Sequence, residues 1–552
     1  MNAKFFLTLA VIIILGIAVY ANSLNGEFIW DDEYLVKENV FIRDSSYIPD
    51  IFSKHIAAGS GKPSNSYRPL QILSYMSDFF LWKLDWRGYH ITNIILHILA
   101  ALSIYWFINI LYDNRSLSFL TSALFVVHPI HTESVSYISG RADLLALLFM
   151  LLSFIFYIKY AKSGIMWLCV CSILSFAAAL LSKESSLILP ALLLLYHYNF
   201  KRPVKASAFS SILIAAVAYI LLRFTLLKST LSFMLPPSTA IERIPGFFVA
   251  LTDYIRLLIL PLGLHMEYGD SLFKFTQPKA IAGLLIIILL LAYVVRKKEK
   301  AGLVTFSISW FFITLMPVSN IYPINAYMAE HWLYMPSIGF FLITADLLRM
   351  LCENKKLKRP GLAAVVSILI FYSLLTMRHN RYWRDPLFFY ERTQKYALNN
   401  LRVYNNLGAI YYNKGRNKEA VEMYNKALEI NPNHIEAYNN LGVLYFNTGE
   451  DEKALAMLNK AIRIKPDYAQ AHNNLGNVYL KKGMLKETIY SYKRAISINP
   501  NYSAPHYNIA AAYFNNGDHE QAIIHCDKAI ALGHRANTKF ITLLQPYRKG
   551  TQ

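Results

Sequence analysis

The chain has 552 residues, 55% of them hydrophobic and 16% charged, with 55 Lys and Arg against 35 Asp and Glu for a formal net charge of +20. At a mean hydropathy of +0.30, that composition excludes an ordinary soluble multidomain protein, because the apolar surface has to be buried in lipid. The positive balance does not indicate nucleic acid either: much of the Lys and Arg lies in short clusters between apolar segments, the pattern of membrane topology.

About 20 predominantly apolar residues are needed to cross a hydrocarbon core of about 30 Å. The sequence offers about eleven such segments, at residues 5–21, 90–112, 117–127, 144–160, 166–181, 186–200, 206–227, 280–295, 303–318, 333–351 and 362–377. The first is not expected to be a cleaved signal peptide, since Asn22-Ser23-Leu24-Asn25 presents no small-residue cleavage site. Short cytoplasmic loops carry the excess of Lys and Arg. That rule assigns Lys4, Arg115, Lys159 with Lys162, Lys201 with Arg202 and Lys205, Arg296 with Lys297, Lys298 and Lys300, and Lys355, Lys356, Lys358 and Arg359 to the cytoplasmic side. The alternation holds only if residues 244–264, broken by Pro245, Pro261 and Gly263 and carrying Asp253 and Arg256, form a re-entrant or interfacial helix. An odd number of crossings then puts Asp31, Asp32 and everything after Arg378 on the extracytoplasmic side. Cys169, Cys171, Cys352 and Cys526 have neither zinc nor haem spacing, and no disulfide framework is expected.

Residues 379–400 read as a connecting helix between a membrane domain at 1–378 and a repeat domain at 401–552. In the latter, Asn406-Leu407-Gly408 recurs every 34 residues as Asn440-Leu441-Gly442, Asn474-Leu475-Gly476 and Asn508-Ile509-Ala510, in step with Pro432, Pro466 and Pro500. This is the tetratricopeptide helix-turn-helix pattern, with a small residue where paired helices approach, Tyr411, Tyr445, Tyr479 and Tyr513 filling gaps, and proline ending each second helix. Four repeats span 401–536, with a capping helix at 538–547. Their concave groove suits an extended peptide, whose backbone the amides of Asn406, Asn440, Asn474 and Asn508 can meet; the alternative is that duplication has simply copied Asn. With 19 Lys and Arg against 12 Asp and Glu in residues 401–552, polyanion binding is not indicated.

The polar residues of the outer face carry the chemistry. Asp31 and Asp32 follow the first span, where a carboxylate pair can take a proton from a hydroxyl while neighbouring lipid delivers a substrate that does not dissolve in water. The plainer reading is a turn whose carboxylates cap a helix or pair with Arg. His128 and His131, near Glu133, lack the H-E-x-x-H arrangement of a zinc protease, and Pro129 breaks the helix that would align them, so no metal is expected. Together with Arg141 they are expected around an anionic headgroup. Lys183 suits a phosphate leaving group or a salt bridge with Glu184. Asp143, Glu330, His331 and Tyr334 complete the polar set, the last three after a loop with Pro317, Asn320 and Pro323.

These residues also stand in ordered motifs. They are Phe28-Ile29-Trp30-Asp31-Asp32, Tyr67-Arg68-Pro69-Leu70, His90 and His97 in the second span, His128-Pro129-Ile130-His131-Thr132-Glu133, Gly140-Arg141-Ala142-Asp143, Ser182-Lys183-Glu184, Pro317-Val318-Ser319-Asn320 and Glu330-His331-Trp332-Leu333-Tyr334, followed by the repeats. In that order and spacing the chain resembles the transmembrane and tetratricopeptide-repeat-containing O-mannosyltransferases over essentially its whole length. The resemblance implies an all-α architecture, a polytopic GT-C type helix bundle followed by an α-solenoid. It implies inverting transfer of a sugar, mannose in that family, from a polyprenyl-phosphate donor to Ser or Thr of exported proteins. Asp31 and Asp32 fall at the family's catalytic acids; Arg68, Arg141, Lys183, His128, His131 and His331 are assigned to the donor phosphate or headgroup. Glu133, Asp143, Glu184, Glu330 and Tyr334 are assigned to the polar pocket, and no cofactor is expected.

The short repeat array and compact loops suit a prokaryotic member, with a multi-pass chain in a bacterial-type inner membrane and periplasmic repeats, or luminal repeats at the endoplasmic reticulum in a eukaryote. The expected partners are the polyprenyl-linked sugar, the acceptor polypeptide and the bilayer. Two rival readings remain: a non-enzymatic scaffold that recruits envelope proteins through its repeats, and a transferase acting on a lipid or glycan.

Overall fold

The computed structural model describes residues 3–226, 239–269, 272–296, 302–320, 326–535 and 537–548. Lys297, Lys298, Lys300 and Pro323, and the expected segment ends at Leu227 and Ala536, lie outside them. The described residues are helical, without strands, and the chain divides into two compact units, Met1–Tyr396 and Ala397–Gln552.

Among the described residues of the first unit, five helical stretches are long and apolar enough to cross a bilayer: Phe5–Asn25, Trp86–Tyr112, Ile138–Ser163, Ala206–Leu226 and Lys358–Trp383. By length and composition they mark a multi-pass integral membrane protein. Other expected spans are shorter helices, Arg115–Val127, Met166–Ser182, Pro278–Val294 and Leu303–Val318. Arg115–Val127, with 13 residues, rises about 20 Å, short of a full hydrocarbon core. The segment expected at 186–200 begins as a 3₁₀ turn, Glu184–Ile188, before an 11-residue helix, Leu189–Asn199. Residues 244–264 fall largely in the Ala240–Ile259 helix, which opens with a capping box between Thr239 and Glu242 and tolerates Pro245 in its first turns.

The helix ends follow local chemistry. Asp85 caps Trp86–Tyr112 by accepting the Arg87 N–H, and the Arg141–Ser163 helix stops at Gly164, whose left-handed φ of 72° closes the last turn. Asn380, buried at the end of the Lys358–Asn380 helix, donates to Val19 O (2.9 Å) and Asn22 Oδ1 (2.7 Å) and accepts from Ser136 Oγ (2.9 Å). One amide thereby ties the last long helix to the first and to the loop that builds the cavity described below.

The second unit holds four antiparallel pairs: Leu401–Asn413 with Asn417–Ile430, Ile435–Asn447 with Asp451–Ile464, Ala469–Lys481 with Leu485–Ile498, and Ser503–Asn515 with His519–Ala531. The Thr538–Arg548 helix follows. The small residue of the repeat does what its period predicts: a Cβ at Gly408, Gly442 or Gly476 would lie 2.7 Å from Tyr424, 2.6 Å from Leu458 or 2.6 Å from Tyr492 on the partner helix. Pro432, Pro466 and Pro500 stand two residues beyond the second helices.

Candidate functional site

The site is built on the loop that follows Arg115–Val127. Pro129 cannot continue that helix, and the chain instead makes two 3₁₀ turns, Pro129–His131 and Ile138–Gly140, around the short Thr132–Ser136 helix. The second turn folds back so closely that a Cβ at Gly140 would lie 2.6 Å from Glu133 O and 2.7 Å from Ser134 O, which reserves the position for glycine. Its exposed carbonyls are satisfied by side chains from neighbouring helices: Asn93 donates to Val135 O and Tyr137 O, Gln71 to Ser139 O (2.9 Å), and Tyr75 Oη to Ile138 O (3.1 Å).

Against this turn the acid pair divides. Asp32 is buried: Oδ1 accepts from Ser139 N–H (2.9 Å) and Ser139 Oγ (2.5 Å), and Oδ2 from Ile29 N–H (3.1 Å). Burial pushes its carboxyl up to about 7, against the opposing pull of these hydrogen bonds. Asp31 instead lines a cavity of about 610 Å³, its backbone N–H donating to Tyr137 Oη at 3.1 Å.

The cavity collects seven of the residues singled out from sequence: Asp31, Arg68, Glu133, Asp143, Lys183, Glu184 and His331. Six of them are ordered as two ion pairs and one His–carboxylate hydrogen bond. Arg68 clasps Glu184 through Nε (3.1 Å) and Nη2 (2.8 Å), Lys183 Nζ meets Asp143 Oδ1 at 2.6 Å, and His331 Nδ1 meets Glu133 Oε1 at 2.7 Å while its own N–H donates to Oε2 at 2.9 Å. Burial alone would raise the Glu184 carboxyl, but the Arg68 guanidinium holds it below the usual carboxylate range. Lys183 therefore pairs with Asp143, not with its sequence neighbour Glu184: at the start of the Glu184–Ile188 turn the two side chains point to different walls.

Other expected members are elsewhere. Arg141 is fully buried behind the turn, ion-paired with Asp78 (2.6 Å), its donors going to Asn93 Oδ1 (2.7 Å), Ser74 Oγ (3.2 Å) and Tyr89 O (2.9 Å), and its guanidinium lies over the Tyr75 ring. It braces the turn and does not reach the cavity. His128 spends Nε2 on Leu258 O (3.1 Å) and Nδ1 on Ile130 N–H (3.2 Å), as a residue before proline that closes a turn. His131 lies among Phe125 and Tyr334, at ring distances of 4.3 and 5.0 Å. Burial pushes His128 down to about 3 and His131 well below its ordinary range, so both rings are neutral and packed, not arranged around an anion. Tyr334 Oη bonds His97 Nδ1 at 2.7 Å. Glu330 is buried, accepting His265 N–H (2.5 Å) and Tyr268 Oη (2.7 Å), and burial with Glu133 nearby raises its carboxyl well above the ordinary range.

Arg223 lines the cavity and did not stand out in the sequence reading. Its only signal is a lone cation in the last turn of the apolar Ala206–Leu226 helix, and an ionised residue in such a segment marks a polar cavity. Tyr137 and Ser139 also line the space, and nothing in their spacing announces it; Trp332, which lines it too, stood in the motif with Glu330 and His331. Among the described residues no three His, Cys, Asp or Glu side chains gather as metal ligands.

In the repeats, Asn440 Nδ2 donates to Asn405 Oδ1 (3.1 Å), Asn474 to Asn439 (2.9 Å) and Asn508 to Asn473 (3.0 Å). The expected peptide-facing amides thus spend a donor on the preceding repeat, joining successive first helices in a side-chain ladder. In the first repeat the acceptor is Asn405, the neighbour of Asn406.

Tetratricopeptide repeat family models match residues 399–467, 469–502 and 503–534. Protein O-mannosyl-transferase F38B6.6 of Caenorhabditis elegans is 27% identical over 444 residues, 77% of this chain and 63% of that protein. Protein O-mannosyl-transferases TMTC3 and TMTC1 of Homo sapiens are 25% and 26% identical over 75% of this chain, and 50% and 54% of theirs. The chain therefore spans between half and two thirds of these relatives' length. Of solved structures, the crystal structure of MamA aligns at a TM-score of 0.24 and 29% identity over 27% of this chain and 86% of that one.

Proposed function

We propose that this chain, a homologue with tetratricopeptide repeats of the TMTC protein O-mannosyltransferases, is a membrane glycosyltransferase. It moves a sugar, mannose by that homology, from a polyprenyl-phosphate donor to Ser or Thr hydroxyls of exported polypeptides on the extracytoplasmic face, and its repeats hold the acceptor. The observation that carries this reading is the shared cavity: Asp31 lines the same space as Arg68, Lys183, Arg223 and His331.

In that space Asp31 takes the proton of the acceptor hydroxyl, the oxygen attacks the anomeric carbon, and the bond to the donor phosphate breaks with its electron pair leaving on polyprenyl phosphate. The configuration inverts in a single displacement. Lys183 retains ammonium donors beyond its bond to Asp143, and the guanidinium of Arg223, in long contact with Asn65 O at 3.4 Å, also lines the cavity. These donors stabilise the departing phosphate from fixed positions, the kind of electrostatic effect that commonly supplies most of a rate enhancement. Asp32, buried and bonded to Ser139, holds the loop and is not the base. Repeats tethered to the transferase raise the local concentration of acceptor.

Mass spectrometry of exported proteins, with and without the chain and with Asp31→Asn, tests this. O-linked hexose on Ser and Thr should be lost in both. Unchanged protein glycans with altered envelope glycans would move the acceptor to a lipid or glycan, and loss of a protein complex without any glycan change would make the chain a scaffold.

A further inference from the structure

We propose that Trp30, clamped by Phe389 and Tyr390, is the positioning residue that holds Asp31 in the cavity; the inference rests on the reading of Asp31 as the base. Trp30 has a φ of 54°, a left-handed backbone in which a bulky side chain is an outlier. Among the described residues Lys83, Asp113, Lys201 and Asn320 also have positive φ; Asp113 ends a helix in the αL conformation, where it is ordinary, and Lys83 likewise follows a helix end. Trp30 terminates none: residues 26–29 before it are not helical. A conformation that local structure does not explain persists because its surroundings over-determine it, and such residues cluster where function requires a fixed geometry.

The surroundings come from one short segment. The Trp30 ring stacks on Tyr390 at 5.7 Å and 30°, and meets Phe389 edge-on at 6.0 Å. Both belong to the Pro386–Gln394 helix, anchored at its start by Asp385, which accepts the N–H groups of Leu387 and Phe388. Phe389 in turn packs on Tyr382 (5.0 Å) and Trp383 (5.3 Å). Upstream of Trp30, Glu27 N–H donates to Arg384 O at 3.1 Å. Downstream, Asp31 N–H donates to Tyr137 Oη, and the Tyr137 ring stacks on Trp383 at 5.4 Å and 20°. The left-handed residue is thus held from both sides against residues 383–390. Its φ sets the direction in which the chain enters Asp31, so release of the ring lets the backbone relax and swings the Asp31 carboxylate away from Lys183 and His331. Asp32 stays behind on its own bonds to Ser139.

The test uses the full chain in lipid nanodiscs with polyprenyl-phosphate mannose and a Ser/Thr-rich peptide. Trp30→Ala and Tyr390→Ala should lower kcat by about 10²-fold, the effect of a misplacement near 1 Å, with donor KM within about two-fold because the phosphate-facing residues are untouched. Tyr390→Phe, which keeps the ring, should restore kcat. A second readout is independent of transfer: Asp31→Cys, with Cys169, Cys171, Cys352 and Cys526 replaced by Ser, labelled by a charged methanethiosulfonate. Its labelling rate should shift with Tyr390→Ala and not with Tyr390→Phe. Unchanged kcat and labelling in Tyr390→Ala overturn the clamp, as does equal loss in the Ala and Phe variants or a donor KM that rises as kcat falls. Should the Trp30 variant fail to fold, the Tyr390 pair carries the test. A wild-type chain that transfers no mannose while the labelling still shifts refutes the transferase reading and leaves the clamp standing.

Discussion

The cavity wall and the asparagine ladder both place polar side chains at partly buried positions, but they solve the problem differently. In the ladder two adjacent asparagines recur with the 34-residue period, and the second of each pair donates to the first of the preceding repeat, 35 residues back. The wall is made of unlike partners drawn from distant segments, the ion pairs Arg68 with Glu184 and Asp143 with Lys183 and the hydrogen-bonded Glu133 with His331. Removing one partner there strands the other in a low-dielectric space. Repetition thus distributes stability, whereas a reactive site concentrates it in pairs that cannot be lost singly.

The contrast can be broken most sharply at Asp31. Asp31→Asn should reduce transfer by about 10²–10⁴-fold, the usual contribution of a general base, with an unchanged thermal melt; residual transfer near wild type would remove it from the chemistry. Next in size are the buried pairs. Lys183→Met leaves Asp143 unpaired and should destabilise by about 3–5 kcal/mol, read as a fall in melting temperature in detergent. Lys183→Met with Asp143→Leu should recover the melt without recovering transfer. Arg141→Met should destabilise by a similar amount, about 3–5 kcal/mol, through Asp78, yet leave donor KM unchanged in whatever protein remains folded.

A third measurement sharpens the division within the acid pair. Asp32 is raised to about 7 by burial, so it binds its proton more tightly folded than unfolded. Its contribution to stability is complete below about pH 4 and is lost as pH rises through 7. The wild-type melting temperature should therefore fall across that window, and Asp32→Asn should flatten the slope. Smallest is the ladder: Asn474→Ala removes the bond to Asn439 and should cost about 0.5–1.5 kcal/mol by calorimetry of the full chain. If it abolished acceptor binding with no change in stability, the amide would belong to the peptide groove and the contrast would fail.

Much of this organisation was legible in the chain. The period of 34 placed every helix pair of the repeats, because each repeat meets only its neighbours and one local rule suffices. Apolar runs of 16 to 23 residues announced the long spans, and seven of the residues that line the cavity stood at motif positions, whereas Arg223, Tyr137 and Ser139 did not. Arg141, His128, His131, Tyr334 and Glu330 stood in the same motifs and were indistinguishable from them by spacing. Their pairing partners, such as Asp78, Leu258, His97 and His265, lie tens to hundreds of residues away.

The sequence by itself determined the class, an apolar multi-helix chain with a solenoid at its end, together with the pool of polar residues from which a site is drawn. It did so because hydrophobicity and periodicity are local properties that each segment carries alone. Tertiary structure decided which member of Asp31-Asp32 lines the cavity, which cations line it too and which serve as braces. A charged side chain takes its role from the partner that desolvation forces on it, and that partner is brought near only when the chain has folded.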